Sequence, residues 1–219
     1  MQRCSYRRGE WECPENTSNG DKCIFHRDTS KDINELERRF IARLTDKAED
    51  PVRFDGAIFP ESNIFRRTYE KSVSFTEAIF SKGAVFGGAK FLGEKSSFEG
   101  ARFNGDADFI DAQFEGKKII FKLVQFLYKT NFNKAKFICE EIDFSNANFG
   151  SNQFTIFDEA LLNSNTTSFA GATFNSPTTS FVGTQFCSKK EIKALRRFMW
   201  VNFNPRVLFQ PCLARLFCI

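Results

Sequence analysis

The chain has 219 residues, 26% of them charged, with a formal net charge of +4 and 29 phenylalanines against 2 tryptophans. No apolar run approaches the roughly 18 residues that span a bilayer, and the N-terminus lacks a signal-peptide core, so a cytoplasmic protein is expected. Seven cysteines, an odd number, argue against a secreted disulfide framework.

Residues 1–28 differ in composition from the rest: they carry Cys4, Cys13, Cys23 and His26 and few aliphatic residues. Cys23-Ile24-Phe25-His26 sets a thiolate and an imidazole close enough to reach one ion, and His26 is the single histidine of the chain. Three sulfurs and one nitrogen form a common structural zinc set, and so short a segment needs a staple to fold. The pattern Cys-x8-Cys-x9-Cys-x2-His is not a standard finger, and ordinary buried thiols beside a surface histidine are the alternative. Asn19-Gly20-Asp21 suits a turn that presents the second ligand pair. A catalytic zinc would keep one position open for water, whereas four protein ligands close this one; Glu12 and Glu15 read as solvated charges.

Residues 29–50 read as a capping helix. Thr29 and Asp32 suit its N-cap region, Ile33, Leu36, Phe40, Leu44 and Ala48 recur at helical spacing, and Pro51 ends it.

Residues 51–187 repeat. From Phe75 to Phe149 phenylalanine recurs in steps of 5, 6, 5 and 7, after which the same cycle begins again, as from Phe75 to Phe98. Two positions before the second Phe of each pair stands a small residue: Ala57, Ala78, Ala89, Ala101, Ala112, Ala135, Ala147, Ala160 and Ala172, with Val124 and Thr184 as exceptions. Positions two apart share one face of a strand, whereas a helix would separate positions five apart by about 140°. Two inward residues, then a turn, four times per cycle, describe a squared coil. Its columns are Phe75, Phe98, Phe121 and Phe144; Phe80, Phe103, Phe126 and Phe149; Phe86, Phe109 and Phe132; and Phe91, Phe114 and Phe137. Roughly six coils rising about 4.8 Å each make a rod about 28 Å long. One coil is longer than the others by two positions, with Phe157 and Leu162 as the nearest fits and a bulged loop expected at 163–167.

Segments such as Ala107-Asp108-Phe109, Thr130-Asn131-Phe132 and Ala147-Asn148-Phe149 resemble the pentapeptide-repeat motif, Ala-(Asp/Asn)-(Leu/Phe) plus two free positions. The resemblance covers about residues 54 to 186 and implies an all-β solenoid, a right-handed quadrilateral β-helix. The cysteine-rich start, ending in Cys-x-(Trp/Phe)-His, is similar to that of some archaeal members of the family. Certain pentapeptide-repeat proteins mimic DNA with an acidic face. Lys and Arg against Asp and Glu number 11 against 11 before residue 54, 13 against 15 over 54 to 186, and 7 against 1 beyond it. The rod therefore has no strongly negative face, and no basic stripe with interleaved aromatics for nucleic acid.

Residues 188–219 are expected to form a C-terminal capping helix and a basic, apolar tail. Ser188-Lys189-Lys190-Glu191 has capping-box spacing, and Ile192, Leu195, Phe198 and Met199 follow. The tail could touch an anionic membrane surface. Hydrolase and nucleotide motifs are absent: Gly83 to Lys90 lacks the Gly-Lys-Ser/Thr of a phosphate loop, and no histidine is spare for base work. The expectation is a non-catalytic scaffold for a protein partner, with homodimerisation open. The alternatives are, as the resemblance to repeat regions in microbial proteins implies, a cytoplasmic regulatory region or shortened relative of an ion-channel-type membrane protein, and, ranked last, nucleic-acid binding through the zinc module.

Overall fold

The computed structural model describes residues 2–17, 22–27, 32–60, 63–150, 153–188, 202–203 and 207–208. From residue 52 onward the chain winds as a four-sided β-solenoid of six coils. Each side is a parallel sheet of short strands, among the described residues six on three sides and seven on the second. The first face runs from Val52–Arg53 to Thr166–Ser168, the second from Ile58–Phe59 to Asn202–Phe203, the third from Ala84–Val85 to Val207–Leu208, and the fourth from Thr68–Tyr69 to Gln185–Ser188.

Register follows the cycle read from the sequence: Ala84 pairs with Ala107 and Ala107 with Thr130, each one cycle on. The small residue and the ring of each motif point inward, and the Ala set from Ala57 to Ala172 is no more than 1% exposed. The rings form four columns. Phe98, Phe121 and Phe144 stack at 4.8 and 4.9 Å between centroids, within 7° of parallel. Phe86, Phe109 and Phe132 stack at 4.9 and 4.7 Å. Columns of opposite faces meet edge to face, as Phe98 does Phe109 at 90°. Both arrangements suit the ring quadrupole. Tyr69 opens the fourth column in place of Phe, and Leu162 interrupts it above Phe137.

The irregular coil is real, but its extra residues lie elsewhere than expected. Thr130 pairs with Thr155, two positions beyond the regular cycle. Residues 163–167 are regular: Leu161–Ser164 and Thr166–Ser168 hold strand register, and the amides of Asn165 and Thr166 both bond the Glu140 carbonyl, as Glu140 and Glu141 bond that of Lys117. The extra residues sit between Phe149 and Phe154, at the corner joining the second and third faces. Both segments are rich in Asn and Ser, so turn composition could not choose between them; backbone pairing does.

The N-terminal helix, α1, spans Ile33–Thr45 and is capped by Asp32, whose carboxylate accepts from the amides of Asn34 and Glu35. Its buried residues are Leu36, Phe40 and Arg43; Ile33 is exposed, contrary to its assignment to the apolar stripe. Phe40 stacks on Phe54 at 4.4 Å and closes the first ring layer from below. The expected C-terminal helix falls outside the described residues. Where the tail is described it continues the solenoid: Asn202–Phe203 pairs with Thr173–Phe174, and Val207–Leu208 with Thr179–Ser180. Ser188, assigned to a capping box, ends a strand instead. Among the described residues no helix is long and apolar enough to cross a membrane.

Candidate metal centre

Two small antiparallel pairs shape the segment from Gln2 to Thr17: Gln2–Arg3 with Asn16–Thr17, and Arg7–Arg8 with Trp11–Glu12. The first pair continues into a bond from the Cys4 amide to the Glu15 carbonyl, and the second into one from the Cys13 amide to the Tyr6 carbonyl. Those bonds bring Cys4 and Cys13 to one side of the loop. Cys23 then opens a tight turn in which the amides of His26 and Arg27 both reach its carbonyl at 3.1 Å. The turn swings the His26 ring back over the Cys23 sulfur.

All four side chains are buried, and their ligand atoms lie within 4.8 Å of one another. Cys13 Sγ is 3.7 Å from Cys23 Sγ, while His26 Nδ1 is 3.2 Å from Cys23 Sγ and 3.5 Å from Cys4 Sγ. An ion bound tetrahedrally at about 2.3 Å from sulfur and about 2.0 Å from nitrogen spaces its ligands by about 3.8 Å for sulfur pairs and about 3.5 Å for sulfur and nitrogen. These three spacings are close to those of a tetrahedral site. The Cys23 amide also points at Cys4 Sγ, 3.3 Å away, a donor placed for a thiolate. The hydrogen bond with Cys13 holds the Cys23 thiol well below its usual range and raises that of Cys13, and burial raises Cys4.

The surrounding shell fixes the imidazole. His26 Nε2 donates to the Asp55 carbonyl at 2.9 Å, which leaves Nδ1 for the ion. Tyr6 lies flat on the imidazole, 4.0 Å between centroids and 7° from parallel. The Tyr6 ring in turn occupies the space above Gly56, where a Cβ would stand 2.0 Å from the phenol oxygen. Phe25, beside His26, is fully buried against Phe54 at 5.4 Å. The module is therefore packed onto the first coil and not tethered beside it.

A family model described as pentapeptide repeats (9 copies) matches residues 71–117. The ladder of paired strands and stacked rings extends the same motif on both sides of that stretch. Residues 71–117 thus carry pentapeptide repeats, and the rod continues their pattern. Comparison with curated proteins and with solved structures finds no match.

In the module packed onto this rod the four residues expected from sequence as ligands come together, while some supporting residues carried no sequence signal. Glu12 is exposed and pairs with Arg7, as expected. Glu15 is not a solvated charge: its side chain is only 10% exposed and faces Arg39 at 3.6 Å and Arg43 at 3.9 Å, and burial raises its pKa. Arg43 is 5% exposed, lies over the rings of Phe25 and Phe54, and also bonds Glu49. Tyr6 and the Asp55 carbonyl have no motif that would mark them. Asn19-Gly20-Asp21 lies outside the described residues. Cys139 and Cys187 are half-buried on the fourth face and remote from the cluster, with the Cys139 thiol pushed up to about 12 by burial.

Proposed function

We propose that the protein is a non-catalytic scaffold: a stiff pentapeptide-repeat rod that offers its flat sides to a protein partner, closed at its N-terminal end by a structural zinc ion. The observation that carries this reading is the ligand set. Three thiolates and an imidazole supply all four positions of a tetrahedral ion, in a buried site packed onto a ring-filled rod. Sulfur-rich tetrahedral sites favour zinc over harder divalent ions, and a closed set holds structure where an open one would activate water. When bound, the ion contributes fixed geometry and the folding energy of the module. Cys4, Cys13, Cys23 and His26 would hold it, and Asp55 would hold His26.

A feature of the second face favours a protein partner over nucleic acid. Its outward row of Ile58, Ile79, Arg102, Gln125, Asn148 and Thr173 holds one charge, and the exposed Leu123 and Tyr128 flank it. Depletion of charge with exposed aromatic residues is the composition of protein-interface cores. The test has two parts. Mass-spectrometric metal analysis of the purified protein should return one equivalent of zinc, lost in Cys23→Ser. A photo-crosslinking residue at Gln125 should trap a discrete partner in cells, one that Tyr128→Ser abolishes and that a crosslinker at Lys136 on the fourth face does not reach. No metal in the wild type, or equal trapping from both faces, would refute the corresponding part.

A further inference from the structure

A solenoid's first coil has no coil before it, so its backbone groups on that side form an open sheet edge. On the first face, amides point up the rod, from Phe54 to the Ser74 carbonyl and from Gly56 to that of Thr76, so the carbonyl of Asp55, like that of Thr76 one coil on, points off the end. On the second face the direction reverses, with Ile79 bonding the Ala57 carbonyl and Ser81 that of Phe59, so the amides of Ile58 and position 60 point off the end. Position 60 is proline and has no amide. The Ile58 amide donates to the Phe25 carbonyl at 2.7 Å, and the Asp55 carbonyl accepts from His26 Nε2 at 2.9 Å. Nearby, the Arg53 amide donates to the Glu49 carboxylate at 3.2 Å.

Two consecutive residues, Phe25 and His26, thus make the bonds that a preceding coil would make, and one of them is a ligand of the centre. We propose that metal occupancy gates this end of the rod. With the ion bound, Phe25 and His26 stand in for the missing coil; with it released, they leave, and the first coil opens while the later coils stay closed. The inference rests on the structural-metal reading above. Opening stays local because each coil of a repeat protein is held only by its neighbours. The opened end presents the Asp55 acceptor and the Ile58 donor, the kind of edge that takes up an extended chain.

The test is amide hydrogen exchange on the full chain, loaded with zinc and then stripped with a chelator, with metal content measured on each sample. Chelation is expected to speed exchange at Ile58 by about 100-fold and to leave the Phe109 amide, bonded to the Asn131 carbonyl two coils inside, unchanged. His26→Cys separates ligation from sealing, since a thiolate can complete the set but cannot donate to Asp55. That variant should keep one equivalent of zinc and exchange Ile58 about 10-fold faster than wild type. An unchanged Ile58 on chelation, a parallel rise at Phe109, or wild-type exchange in metal-loaded His26→Cys would each overturn the gate. Failure of the wild type to bind added zinc would overturn the structural-metal reading and the gate with it, and it is read from metal content alone.

Discussion

Gly56 meets two demands at once, and a pair of substitutions separates them. Its φ is +62°, and Gly88 occupies an equivalent corner at +70°. Forcing a side chain into that conformation costs about 1 to 2 kcal/mol. The corners tolerate it, since Glu77, Asp111, Leu123, Lys134, Asn146 and Glu159 all sit at positive φ. A Cβ at Gly88 meets nothing within 4 Å, whereas at Gly56 it would lie 2.0 to 2.5 Å from three atoms of the Tyr6 ring. Restoring ordinary contact moves the ring by about 1.5 Å, which takes it off the His26 imidazole that it stacks upon. Overpacking of this kind adds about 1 to 3 kcal/mol. Gly88→Ala should therefore cost about 1 to 2 kcal/mol and Gly56→Ala about 2 to 5 kcal/mol, the excess confined to docking of the N-terminal module. Urea unfolding followed by circular dichroism reads the totals, and the rate of metal transfer to a chromogenic chelator reads the docking. Equal costs and equal transfer rates for the two variants would refute the claim that Tyr6 clamps the module onto the first coil.

Three further outcomes follow from named contacts. Phe121, fully buried and stacked between Phe98 and Phe144, should cost about 3 to 5 kcal/mol on replacement by alanine and much less by leucine, which the fourth column already accepts at Leu162; urea midpoints measure both. Ser96 is fully buried with its hydroxyl unpartnered, in line with Val73 and Ile119, so Ser96→Ala should stabilise the rod by about 1 kcal/mol, seen as a raised urea midpoint. Removing metal should make three further thiols, those of Cys4, Cys13 and Cys23, reactive toward a colorimetric thiol reagent; an unchanged thiol count would argue that nothing had been bound there.

Sequence periodicity reveals the rod because the solenoid converts spacing in the chain directly into stacking in space. Each inward ring sits one cycle from the one it covers, as Phe91 does from Phe114, with only small departures at the first coil and the long one. The columns can therefore be written down before any coordinates. The Cys/His cluster is legible for a related reason: three of the seven cysteines and the single histidine fall within the first 26 residues. What escapes is whatever depends on a contact with no period and no rare residue. Tyr6 on His26, the Asp55 carbonyl and the Arg43 guanidinium beside Glu15 use common residues joined across the boundary between module and rod. The extra residues of the long coil escape because both candidate corners carry the same turn formers.

The charge balance of the rod has a structural origin that bears on what it binds. The cycle that stacks the rings also stacks the corner side chains, so a charged residue meets whatever lies one cycle further along the chain. Like charges so placed would repel along the whole column. At several positions opposite signs meet: Lys117 bridges to Glu94 at 2.7 Å, Lys118 to Glu141 at 2.8 Å, and Lys122 approaches Glu99 at 4.0 Å, while Lys95 lies in register with Lys118. These pairs are solvent-exposed and screened, so they add little stability. Their consequence is cancellation, because opposite signs less than a Debye length apart leave no extended field along a face. On the scaffold reading, a rod patterned in this way has little field with which to steer or imitate a polyanion. Recognition, on that proposed reading, rests on shape and on the sparsely charged second face, where Leu123 and Tyr128 stand in solvent beside Gln125, Asn148 and the single Arg102.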